Sequence, residues 1–222
     1  MSNQPYKVFE SGNTRLRIEY DEVNMHPWLT SDMACNLACW TDDDPGSWLP
    51  DACSDSGQVR LNGLYDLIFE ESDMEAWIEH QQREGRPFHV CGLRWLDKYG
   101  DIVFTSDYLQ DVRYDGAIFI DEKRFRQYCS QEELTNEQMI EQMKETCKNE
   151  YNVLRAWANG QSFGIVWETK CPTCDQWVVK DSVWGFLFTD SENDMFREML
   201  EHMPDTDEWK EVRQLMFNNE GE

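Results

Sequence analysis

From Thr135 onward the spacing of apolar residues changes. Met139, Met143, Cys147, Tyr151, Leu154 and Ala158 recur at intervals of three or four, which sets them on one stripe of a helix. Thr135 with Gln138 three positions later makes a capping box at its start, and Asn159-Gly160 supplies a stop. A helix of about six turns with one apolar stripe must lay that stripe on another layer. The segments on either side say what the layer is.

Thr14 to Tyr20 alternates, with Leu16, Ile18 and Tyr20 on one side and Arg15, Arg17 and Glu19 on the other. Leu64 to Phe69, Phe88 to Leu96, Ile102 to Thr105 and Ala117 to Ile120 read as further strands, the turn DKYGD joining the third of these to the second. Ser72 and Glu75 form a second capping box ahead of Met74, Trp77 and Ile78, predicting a helix to about Arg83 with Gly85 as its stop. Phe163 to Glu168 and Trp177 to Val183 flank the sequence CPTC as a hairpin. The expected fold is α+β: a mostly antiparallel sheet with one long helix packed on it.

After Thr189 the spacing is helical again. Met195, Phe196, Met199, Leu200 and Met203 share one face, Pro204 interrupts, and Trp209, Val212, Leu215 and Met216 share the next. These observations divide the chain into an α+β domain, 1–189, and an acidic helical C-terminal extension, 190–222.

The 222 residues hold 44 acids against 20 bases, a formal charge of −24, yet 13% are aromatic. Disordered chains combine such charge with few aromatics, so this charge belongs outside a packed core. It argues against direct binding to nucleic acid or an anionic membrane and selects basic partners. The N-terminus lacks the basic start and apolar run of a signal peptide, and no stretch is apolar enough for a membrane helix, so the expected compartment is the cytoplasm. Eight cysteines there read as reduced thiols or metal ligands rather than disulfides.

RLRIEYDE, ACNLACW, LRWLDKYGDIVFTS followed by YDGAIFIDEKRF, EYNVLRAWANGQSFGIVWE and DSVWGF occur in an order and spacing similar to a widespread group of phage and plasmid proteins without assigned function. The chain resembles that group over about residues 15–188, leaving the acidic tail outside. It departs from the group at Lys98 and Tyr99, where a His and a Ser are usual, and at Tyr114-Asp115-Gly116, where Trp-Asp-Ser-Gly is usual. The resemblance implies a phage or mobile-element accessory protein in a bacterial host cytoplasm. It brings no catalytic residues.

Cys171 and Cys174, spaced Cys-x-x-Cys on a hairpin turn, can present two thiolates to one Zn²⁺. A structural site needs four ligands, and the candidate second pair is Cys35 and Cys39. Free thiols in a tight turn are the ordinary explanation, so zinc is the one cofactor the sequence suggests, with none as the leading expectation. A thioredoxin-like role fits less well, because that motif opens a helix. His89 and Cys91 share one side of a strand and could form an imidazole–thiol dyad, although core packing accounts for them as well. Asp42, Asp43, Asp44, Asp51 and Asp55 crowd one loop without the spacing of an EF-hand. No dinucleotide, Walker or nucleophile-elbow pattern is present, and the expectation is a protein that is not an enzyme.

Glu133, Glu137, Glu141 and Glu145 recur every four residues as one ridge, a repelling arrangement that a helix does not adopt for its own stability. Their spacing of about 6 Å approaches that of phosphates along a nucleic-acid strand. Lys144 and Lys148 lie one step round and partly neutralise it. The tail adds Asp194, Glu198, Glu201, Asp205 and Glu208, and across 181–222 twelve acids face three bases. The expectation is a surface that binds and inhibits a basic host protein, one that itself binds DNA, such as a defence nuclease. Two alternatives stand beside it: a module docking through exposed Met195, Met199, Met203 and Trp209, and a small zinc protein with four cysteine ligands. The sequence leaves the oligomeric state open.

Overall fold

The computed structural model describes residues 4–23, 27–30, 33–39, 71–96, 101–104, 114–129, 133–189 and 191–218. The chain divides into two compact units, Met1–Asn24 with Gly160–Glu222 and, inserted between them in sequence, Met25–Asn159. Each has its own antiparallel four-stranded sheet and its own helices, so the α+β class holds.

The first unit is built on the sheet β1-β2-β7-β8: β1 Lys7–Ser11, β2 Thr14–Tyr20, β7 Ser162–Lys170 and β8 Trp177–Leu187. Gly12, at φ 57°, makes the β1–β2 turn in the left-handed region that glycine enters without steric cost. The alternation in β2 sends Leu16 and Ile18 inward, and their cross-strand partners Trp167 and Ile165 continue the buried face. Onto it pack α5 Glu192–Glu201 and α6 Lys210–Asn218, which supply Met195, Phe196, Met199, Leu200, Val212 and Met216, with Met203 just past α5 and Trp209 just ahead of α6. The buried apolar side chains of residues 191–218 therefore belong to the core of this unit. The division expected at 189 falls elsewhere, because β2 and β7 pair across the inserted segment while the tail closes their sheet.

The second unit holds α1 Pro27–Thr30, β3 Asn36–Cys39, α2 Glu71–Glu84, β4 Phe88–Leu96, β5 Asp101–Phe104, β6 Gly116–Asp121, α3 Glu122–Tyr128 and α4 Asn136–Ala158. Its sheet order is β3-β6-β4-β5. Successive residues serve opposite faces: Cys91, Leu93, Ile118 and Ile120 join a cluster with Met139, Met143, Cys147 and Leu154 of α4. Val90, Ala117 and Phe119 join the other, with Met74 and Ile78 of α2. The capping box of α4 is complete: Gln138 N donates to Thr135 Oγ1 at 3.3 Å, and Thr135 N donates to Gln138 Oε1 at 3.0 Å. Gly85, at φ 64°, follows α2 as expected. The strand expected at Leu64 to Phe69, the acidic loop with Asp42 to Asp55, residues 97–100 of the DKYGD turn with Lys98 and Tyr99, and the side chain of Ser72 lie outside the described residues.

Candidate functional site

The long helix separates its residues cleanly. Met139, Met143, Cys147 and Leu154 are buried, while Glu137, Glu141 and Glu145 are exposed. Glu133 is exposed too, but it precedes the N-cap Thr135 and is not on the helix. The expected ridge of four is a ridge of three, because Thr135 turns the chain out of helical geometry before Glu133 is reached. Lys144 Nζ lies 3.9 Å from Glu141 Oε2, an exposed pair that neutralises little. Glu137 is held below the usual carboxylate range by its own backbone N–H and by the Thr135 hydroxyl, so it remains charged.

The tail shows the same segregation. Asp194, Glu198, Glu201, Asp205 and Glu208 are all exposed. Asp194 pairs with Arg197 at 3.3 Å, whereas Glu198, Glu201, Asp205 and Glu208 form no ion pair among the described residues. Met195, Met199, Met203 and Trp209 are each no more than 5% exposed. That corrects the docking alternative: these side chains fill the core of the first unit and are not free to meet a partner.

The thiols fall into two populations. Cys35, Cys91 and Cys147 are fully buried in the second unit. Cys35 Sγ lies 3.5 Å from Cys147 Sγ, and Cys91 Sγ lies 3.1 Å from His89 Nε2, on the shared strand side that their spacing predicts. Burial pushes the Cys35 thiol up to about 11, and hydrogen bonds to Cys35 and Cys91 together with burial raise Cys147 well above its ordinary value. Neutral, enclosed thiols are poor nucleophiles. Beside them the Glu150 carboxylate accepts the backbone N–H groups of Ala34 and Cys35 at 2.6 and 2.9 Å, and Arg124 donates to the carbonyls of Ala34 and Met33, both at 2.9 Å. A carboxylate and a guanidinium thus hold the Met33–Cys35 backbone, one by its donors and the other by its acceptors.

Cys171 and Cys174 sit instead on the β7–β8 turn of the first unit, with Pro172 to Gln176 exposed. Cys171 N donates to Gln176 O at 2.8 Å and Asp175 N to Cys171 O at 3.0 Å, with Asp175 in the left-handed region at φ 57°. The backbone N–H groups of Thr173 and Cys174 and the Cys174 thiol converge on the Cys171 sulfur, lowering its pKa to about 7. Of the other two cysteines in the expected four-cysteine set, Cys35 is engaged by Cys147 and Glu150 within the second unit, and the Cys39 side chain lies outside the described residues. Among the described residues no three His, Cys, Asp or Glu side chains are gathered to hold a metal ion.

Sequence spacing points to the hairpin thiols but not to Cys147, Glu150 or Arg124. For Cys147 the one signal is its place on the apolar stripe.

No known protein family, curated protein or solved structure matches this chain. Among the described residues no helix is long and apolar enough to cross a membrane.

Proposed function

We propose that this chain is a non-catalytic accessory protein, of the phage or mobile-element type it resembles, that captures a basic DNA-binding protein of a bacterial host in the host cytoplasm. The observation that supports this reading is the segregation in the tail. The apolar faces of α5 and α6 are spent on the sheet, while Glu198 and Glu201 on α5 and Asp205 and Glu208 on the connection to α6 are exposed and form no ion pair among the described residues. Unpaired like charges gain favourable energy when a cationic surface replaces their counterions. The carboxylates at Glu137, Glu141 and Glu145, about 6 Å apart along α4, offer the same chemistry at a spacing near that of phosphates. A defence nuclease is one protein class whose DNA-binding cleft would accept such a surface.

The test is capture from bacterial lysate on the immobilised full chain, followed by a salt gradient. The reading expects a basic protein that leaves at moderate salt and is competed off by duplex DNA. It also expects loss of capture when Glu198, Glu201, Asp205 and Glu208 are reversed to Lys together, or when Glu137, Glu141 and Glu145 are. A partner indifferent to salt, to DNA and to both sets of reversals overturns it.

A further inference from the structure

We propose that Cys171 and Cys174 form one half of a tetrahedral zinc site, which a second copy of this chain completes with the same two residues. The turn is already shaped for a metal. Two backbone N–H groups, from Thr173 and Cys174, point at the Cys171 sulfur, an arrangement that offsets the charge of a bound thiolate as outer hydrogen bonds do in metal centres. Closing the turn this way requires the left-handed Asp175, a conformation that a non-glycine residue adopts at some cost. The second thiol is in hydrogen-bonding contact with the first.

The half-site is open to an outside partner. Structural zinc takes four ligands in a closed tetrahedron, and thiolates select it over hard cations. No third ligand is gathered there among the described residues. Cys35, Cys91 and Cys147 are sealed in the core of the other unit and hydrogen-bonded there. The tip itself is solvent-exposed at Pro172, Thr173, Cys174 and Asp175, so the same tip on a second chain can approach it across a two-fold axis through the metal. Two chains of charge −24 repel, but the two cations at the turn end of this sheet are each matched by a carboxylate, Lys170 by Asp175 at 4.0 Å and Arg15 by Glu168 at 2.5 Å, so these pairs add no net charge where the two tips would meet. Lys170 Nζ and Arg15 also stand over the Trp177 ring, 5.2 and 4.4 Å from its centroid, at the first residue of β8.

The inference is independent of the acidic-surface reading, and its test uses neither lysate nor DNA. Zn²⁺ alone is titrated into the reduced, metal-free full chain while mass is followed by light scattering. One Zn²⁺ per two chains is expected, with the molar mass doubling, reversal by a chelator, and loss of both effects in Cys171→Ser and in Cys174→Ser. Co²⁺ in place of Zn²⁺ should show the intense visible bands of a four-thiolate tetrahedral site. The serine changes lie on an exposed turn, and unchanged thermal melting of the metal-free variants shows that they fold. One Zn²⁺ per monomer, no uptake, a dimer that forms without metal, or uptake unchanged in either variant overturns the proposal.

Discussion

Lys7 on β1 and Glu192 in the first turn of α5 meet across 185 positions of sequence, Nζ to Oε2 at 2.5 Å, with the Tyr6 hydroxyl donating to the other carboxylate oxygen. The contact ties the N-terminal strand to the tail, and Glu192 also faces the partial positive charge of its own helix N-terminus. Burial works to raise the Glu192 carboxyl, but the hydrogen bonds from Lys7 and Tyr6 and the charge of Lys7 outweigh it and hold the carboxyl below its usual range. Its stabilisation is then complete above the unfolded value of about 4.3 and is lost as pH falls through the folded one. Tyr6, pushed up to about 12 chiefly by the hydrogen bond to Glu192, acts in the opposite direction: its contribution is present below about 10 and lost as pH rises through about 12. Glu192→Gln should cost about 0.5–1 kcal/mol at pH 7, given that both partners are partly solvated. Urea melts from pH 6 to pH 3 should show a shallower acid loss in the variant. An equal slope in both proteins would remove Glu192 from the acid response.

The C-terminal helices should be indispensable to the first unit. Phe196 packs edge-to-face on Phe9 with ring centroids 5.9 Å apart, and Met199 is fully buried. Phe196→Ala should cost about 3–5 kcal/mol and Met199→Ala about 2–5 kcal/mol. Truncation after residue 189 should abolish cooperative unfolding of the unit, as read by near-ultraviolet circular dichroism. A truncated chain that melts cooperatively with intact near-ultraviolet signal would show the tail to be an appendage after all.

The sequence made some of this legible and hid the rest for identifiable reasons. The boundaries of β2 and α4 were readable because Leu16 and Ile18 alternate strictly and because Thr135 and Gly160 mark the ends of a single apolar stripe. The strand β1 was not, since KVFES is short, charged, and buries Phe9 alone. Nor was α3, whose sequence EKRFRQY looks solvated although Arg124 is buried for its hydrogen bonds to the carbonyls of Met33 and Ala34. A guanidinium in a core is justified by partners distant in sequence, and local pattern does not carry them. The same limit hid the thiol contact of Cys35 with Cys147, 112 residues away, and the pairing of β2 with β7 that sets the unit boundaries. Surface charge was the more legible part of the candidate site. Glu137, Glu141 and Glu145 are outward because their apolar neighbours must be inward, which is a local argument.

Two glycines should respond differently to the same methyl group. A Cβ at Gly92 would lie 2.1 Å from the ring of Tyr114, which is buried, and a Cβ at Gly164 would lie 2.1 Å from the ring of Trp184, which is 44% exposed. An enclosed ring can move only by disturbing its neighbours, whereas an exposed ring can swing into solvent. Gly92→Ala should therefore cost about 1–3 kcal/mol, and Gly164→Ala should cost less and should shift Trp184 fluorescence to the red. Equal losses, with no spectral change in the second, would mean that Trp184 is held as firmly as Tyr114.

The clamp on Met33–Cys35 gives a prediction whose pH dependence runs against the usual acid response. Glu150 is raised above the ordinary carboxylate range, first by burial, against the hydrogen bonds of Cys35 and Ala34 and the charge of Arg124 that lower it. A raised folded pKa means that its stabilisation is complete below the unfolded value of about 4.3 and is lost as pH rises through the folded one. Glu150→Ala leaves the buried N–H groups of Ala34 and Cys35 without their acceptor, at a cost of about 2–4 kcal/mol. Because the native carboxyl is penalised for ionising, the gap between wild type and variant should be widest near pH 4 and should narrow toward neutrality. Paired urea melts at the two pH values read it directly. A gap that widens toward neutral pH would mean that Arg124 and the two N–H groups overcome desolvation, and that Glu150 belongs with Glu192 among the carboxylates the fold prefers charged.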